Sequence, residues 1–286
     1  MTGKCDNNTV KKVIFHDGIT NGSVTYQNIT LALESIVFEN SNAIANLECF
    51  NNGTLKDVVL PKNIENVNLS SNSKLESVTI AEGCTAIPND FCQRCGKLSE
   101  ITLPSTIKTI GENAFAWSSL KKINIPEGVT SLGKSCFDHS SLREIVLPEG
   151  LTTIPNKAFY SCKSLRTVTM SDNVTSIGEY AFAEYDALTT LKMPSAIETI
   201  ESCAFKSCIA LERMTICDGV TIGTALFYGC EALKEVKLPS TLTTIPKSSF
   251  RDCVSLKKVE LPTGLTAIED TPLIIRSSTR VSCPLP

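Results

Sequence analysis

Thirteen cysteines and only two histidines, His16 and His139, make up the side chains best suited to metal ligation or nucleophilic chemistry. With so few imidazoles, the usual general bases are nearly absent. Cys92 and Cys95 form a CxxC, and Cys203 and Cys208 lie close in sequence. A zinc site would need two such clusters at suitable spacing. Five of the thiols (Cys95, Cys162, Cys208, Cys230 and Cys253) instead stand three residues before a leucine, a place held elsewhere by Trp117, His139 and Tyr185. Regular placement favours packing, where a free thiol acts as a small hydrophobe; disulfides and metal ligation are the alternatives. The acidic residues Asp17, Glu82, Glu127, Glu149, Asp172 and Asp218 each precede a Gly or Asn. They supply one carboxylate at a time, where Ca²⁺ wants several oxygens together, so a solvated rim is expected. Six N-x-S/T sequons occur, at Asn7, Asn21, Asn28, Asn52, Asn68 and Asn173. An Asn- and Thr-rich segment produces such triplets by chance, and glycosylation in an exported chain is the alternative. No P-loop, G-x-S-x-G or H-E-x-x-H is present, so the chain is read as no enzyme, with no cofactor.

The leucines that count out the cysteines are periodic themselves. Apolar starts at Val10, Leu33, Leu55, Leu75, Leu98, Leu120, Leu142, Leu165, Leu188, Leu211, Leu233 and Leu256 are separated by 20 to 23 residues. In each copy the first, fourth and sixth residues are apolar, as in Leu142, Ile145 and Leu147, which predicts a short strand with one face buried. A proline often ends it, because it cannot donate to a ladder. A turn, a second short apolar pattern such as LTTI at 151–154, and a small residue followed by Phe complete the unit. Nine phenylalanines are expected in that closing position: Phe50, Phe91, Phe115, Phe137, Phe159, Phe182, Phe205, Phe227 and Phe250. One such unit cannot bury enough to fold alone, so neighbours must stack as a solenoid.

The pattern L-x-x-V-x-L-P-x-x-V-T-x-I-G-x-x-A-F-x-x-C-x-x-L resembles the BspA-like, or Treponema pallidum-type, leucine-rich repeat. Residues 142–165, LREIVLPEGLTTIPNKAFYSCKSL, carry nearly every element. The resemblance implies a leucine-rich-repeat solenoid of about twelve rungs of 20–23 residues. Its strands would form a concave parallel sheet, and short strands, turns and short helical or 3-10 segments its convex side. The expected organisation is an N-terminal flank at 1–9, a single repeat domain at 10–270 (10–74 degenerate, 75–270 regular), and a C-terminal cap or tail at 271–286. The resemblance also implies a non-catalytic protein-recognition module, placed at the cell surface or secreted, with an acidic or extracellular-matrix type of protein ligand. The opening MTGKCDNNTVKK lacks the apolar stretch of a signal peptide. A cytoplasmic location, as an intracellular scaffold or regulatory subunit, is therefore the alternative.

The chain carries 27 basic and 30 acidic residues, a net charge of −3, which speaks against a nucleic-acid partner. No apolar run approaches the roughly 18 residues of a membrane span. Charge is unevenly placed, however. Strand positions two, three and five, which the core does not need, hold thirteen basic and eight acidic residues. Lys121, Lys122, Arg143, Arg166, Lys192, Arg213, Lys234, Lys237, Lys257 and Lys258 are the candidate partner-binding residues. No aromatic stands in these positions, so a salt-sensitive contact is expected rather than sugar stacking.

Overall fold

Alternation of apolar and polar residues turns most L-x-x-V-x-L segments into front strands, those at 98–103, 120–125 and 188–193 excepted. In the computed structural model, which describes residues 10–25, 32–269 and 280–282, these strands stack in parallel. The chain falls into two compact units that divide between Leu142 and Arg143.

In the first unit, Lys12–Phe15, Ser35–Phe38, Asp57–Leu60 and Ser77–Ile80 form one parallel sheet, in register through Val13, Ile36, Val58 and Val78. Segments 98–103 and 120–125 lie side by side without a full ladder, joined by the Lys121 N–H donated to Ser99 O at 3.2 Å. At the back, Asn21–Thr25, Ile44–Glu48 and Asn63–Asn68 make a sheet of long strands. The next three back strands, Ala86–Ile87, Thr109–Ile110 and Ser131–Leu132, shrink to two residues each. In the second unit, Glu144–Val146 pairs with Thr167–Thr169, and Arg213–Thr215, Glu235–Lys237, Lys258–Glu260 and Arg280–Ser282 form a four-stranded front sheet. Its back strands run in register through Ile154, Ile177, Ile200 and Ile222. The expected flank at 1–9 and tail at 271–286 lie outside the described residues, save Arg280–Ser282, which adds a front strand where the sequence pattern had broken.

The core follows the repeat: Leu142, Ile145 and Leu147 are at most 3% exposed, and Leu33, Ile36 and Phe38 match them. The residue after the two-residue back strand is pressed on the preceding rung. A Cβ on Gly223 would stand 2.3 Å from Ser202 N, which only glycine avoids there.

Where helical or 3-10 segments were expected, the described residues contain none. The physical reason lies in the hydrogen bonds. Asn113, Phe115 and Trp117 donate their N–H groups to Lys134, Cys136 and Asp138 of the next rung, while Ala114 and Ala116 donate back to Gly111 and Asn113. Alternate N–H groups thus leave the segment, so no helix can form. From the rung of Asp90 onward the backbone accommodates this through two left-handed residues per rung, four apart, such as Asn113 and Trp117 (φ 52° and 59°) or Ser135 and His139, whereas the rungs of Asn51 and Ser71 have one each.

That register corrects two expectations. The buried slot is the residue after the last left-handed position of the rung: Asn52, Asn72, Cys95, Ser118, Ser140, Cys162, Tyr185, Cys208, Cys230 and Cys253. Trp117 and His139 stand one residue earlier, because only five residues separate Phe115 from Leu120, and Phe137 from Leu142, where six is usual. Counting back from the leucine therefore misplaces them by one. Likewise only Phe115, Phe137, Phe159, Phe182, Phe205, Phe227 and Phe250 share the closing slot. Cys49, Leu69 and Cys92 fill it in earlier rungs, with Phe50 and Phe91 one residue to either side. In the second unit the rings stack at 5.6 to 6.0 Å from Phe159 to Phe250.

Candidate functional site

Strand pleating sends positions three and five outward, position two precedes the strand, and all ten candidate residues stand on the front segments. Lys121 and Lys122 belong to the first unit, the other eight to the second. All are exposed except Lys258, which is half-buried.

Parallel register places each long side chain beside the next rung's, and this decides which cations are spent within the molecule. Lys234 reaches Glu212 at 2.7 Å, Lys258 reaches Glu260 at 2.6 Å and Glu235 at 3.0 Å, and Lys192 lies 3.4 Å from Asp172. Lys234 beside it holds the Glu212 carboxyl below its usual range, and the hydrogen bond to Glu260 pushes Lys258 up. By contrast, Arg143, Arg166, Arg213, Lys237 and Lys257 make no ion pair among the described residues. Arg143 and Arg166 are linked directly, the Arg166 N–H donating to Arg143 O at 2.9 Å. Val146 lies on the same face at 61% exposure, an apolar anchor whose sequence signal is a valine where the other rungs of this unit carry polar residues.

The acidic turns cross-link rungs. Asp172 accepts the Ser195 N–H at 3.0 Å and Asp218 the Ser240 N–H at 2.6 Å, and these bonds hold both carboxyls below their ordinary values. Glu82 and Glu149 likewise accept from Ser105 and Asn173 of the following rung. Among the described residues no group of three His, Cys, Asp or Glu side chains is arranged to hold a metal ion. Eleven cysteines are described, all free, and all but Cys217 are buried. The thiols of Cys95, Cys208, Cys230 and Cys253 each donate to the closing-slot carbonyl of the preceding rung, at 3.0 to 3.1 Å. Burial pushes the Cys49 thiol up to about 12.

Of the sequons, Asn52 is 4% exposed, and its carbonyl oxygen accepts from Thr54 and Leu55 N–H, so a folded chain cannot present it. Asn21 and Asn173 are exposed and Asn68 is half-buried, whereas Asn7 and Asn28 lie outside the described residues. No helix among the described residues is long and apolar enough to cross a membrane.

Comparison with known proteins agrees with this architecture. No curated protein matches the chain. A leucine-rich repeat protein from Bacteroides ovatus is 23% identical with a TM-score of 0.64, over 93% of this chain and 76% of that one. The pneumococcal vaccine antigen PcpA is 17% identical with a TM-score of 0.57, over 91% and 74%. The family model for the BspA type leucine rich repeat region matches residues 19–141, 85–212 and 211–278. This protein therefore belongs to the BspA-type leucine-rich repeat family.

Proposed function

We propose that this protein is a non-catalytic recognition module that docks an acidic protein partner on the front face of its second unit. The observation that carries the reading is the set of five exposed cations, Arg143, Arg166, Arg213, Lys237 and Lys257, left without ion pairs among the described residues while their lysine neighbours are neutralised. Unpaired cations raise the encounter rate with an acidic surface and fix its register, and Val146 offers an apolar centre. Presentation at the cell surface, toward extracellular-matrix ligands, extends this reading from the family resemblance.

Binding to immobilised polyglutamate and to purified matrix proteins tests it. Affinity should fall steeply as ionic strength rises, since exposed charges are screened over about 10 Å at 0.1 M salt. The triple variant Arg143→Glu, Arg166→Glu, Arg213→Glu should abolish it. Unchanged affinity in that variant refutes the assignment.

The ten buried cysteines, none of them in a disulfide among the described residues, favour a second reading, an intracellular scaffold using the same face, because reduced cysteines persist in reducing compartments. Fractionation of native cells separates the two locations.

A further inference from the structure

The first unit carries an aromatic surface that the front face lacks. Trp117, the only tryptophan in the chain, is 47% exposed and adopts φ 59°. A bulky residue in the left-handed region is strained, by about 1–3 kcal/mol, and neither core packing nor the rung's backbone bonds require an indole there. The same position in other rungs holds Asn51, Ser71, Arg94, Ser161, Glu184 or Ser207. One indole face is covered: the His139 ring stacks on it at 3.6 Å between centroids and 9° between planes, and Asp138 holds His139 through Nδ1 at 2.5 Å.

On the opposite face no ring and no cation stands among the described residues. The second unit shows what occupied rings look like: Lys157, Lys206 and Arg251 stand 5.3 to 5.9 Å from Tyr160, Tyr180 and Tyr228, so those faces are used within the molecule. The backbone of the exposed Arg94 pairs with the residue before Trp117, its N–H donating to Ala116 O at 2.7 Å, and in the same two rungs the Asn113 amide donates to Asp90 at 3.1 Å.

We infer that Trp117 is the platform of a carbohydrate-binding site that takes a pyranose ring on its free face. The C–H face of a sugar fits a flat π-surface, and its hydroxyls match the mixed donors and acceptors of Arg94, Asn113 and Asp90. An acidic peptide is disfavoured at this spot because Asp90 and Asp138 flank it. A single tryptophan makes the test direct. Titration with chitotriose, lactose and maltotriose, followed by intrinsic fluorescence, should give a saturable change in emission with at least one sugar. Calorimetry on Trp117→Ala should show affinity for that sugar weakened roughly tenfold or more. His139→Ala, which keeps the reporter but removes its backing, should weaken it less. Arg143→Glu, Arg166→Glu, Arg213→Glu should leave sugar binding intact, which separates this site from the front-face reading. Emission unmoved by all three sugars, or equal affinity in Trp117→Ala, overturns the proposal.

Discussion

In the rungs that close at Asn52 and Asn72 an amide fills the buried slot after the last left-handed residue, whereas in those closing at Cys208, Cys230 and Cys253 a thiol fills it. Asn72 and the thiols serve the same backbone group, the closing-slot carbonyl of the preceding rung. Asn72 donates to Cys49 O at 2.6 Å and Leu69 O at 2.8 Å and accepts the Asn52 N–H at 2.8 Å. Each thiol makes a single bond, to Phe182 O, Phe205 O or Phe227 O. The closing slots beside these two sets of rungs also differ. Where Cys49 and Leu69 replace the closing phenylalanine, two of the three Asn72 amide bonds tie rung to rung and the third, to Leu69 O, braces its own rung; where the rings stack, one weak thiol bond suffices. The early rungs of the first unit are thus closed by polar cross-links and the rungs of the second unit by aromatic packing.

If aromatic packing dominates the later rungs, Phe205→Ala should have the largest effect. Its ring is fully buried between Phe182 at 6.0 Å and Phe227 at 5.9 Å, and its loss should cost about 3–5 kcal/mol in urea unfolding. A cost below that of Asn72→Ala would break the comparison. Asn72→Ala itself should cost roughly 2–4 kcal/mol, because two buried carbonyls and one N–H lose partners together. Cys230→Ala sharpens the contrast from the other side. It removes one weak donor and a little volume, and should cost on the order of 1 kcal/mol.

Periodicity alone exposed the strands, the rung count and which positions face outward, because a buried leucine every 20 to 23 residues admits few other arrangements. What stayed hidden depends on register at the scale of one residue. The shortened interval from Phe115 to Leu120 moves Trp117 out of the core slot, which can be seen only once the left-handed positions are known. Helical expectation failed at the closing segments for a related reason: their N–H groups are drawn alternately to the next rung, a pairing between residues more than twenty apart. Nine of the ten front-face cations were legible as exposed, Lys258 being half-buried. Which of them remain unpaired was not, since that follows from whether a carboxylate stands beside each one on the adjacent rung, as Glu212 does for Lys234.

The smallest expected effect concerns pH, and it belongs to the turns of the second unit. Asp172 and Asp218 have carboxyls held low chiefly by the N–H groups of Ser195 and Ser240, with Lys192 assisting Asp172. A carboxyl with a depressed folded-state pKa contributes stability above its unfolded value, near 3.9, and that contribution is lost as pH falls through the lower folded value. Both groups are solvent-exposed, so screening keeps the effect small. Asp172→Asn with Asp218→Asn retains an oxygen for each N–H but cannot titrate. The double variant should therefore lose less of its thermal midpoint than the parent protein between pH 5 and pH 3, while Asp186→Asn, at an exposed site, should follow the parent. If the double variant and the parent fall in parallel, these turn bonds stabilise through geometry alone and their charge adds nothing.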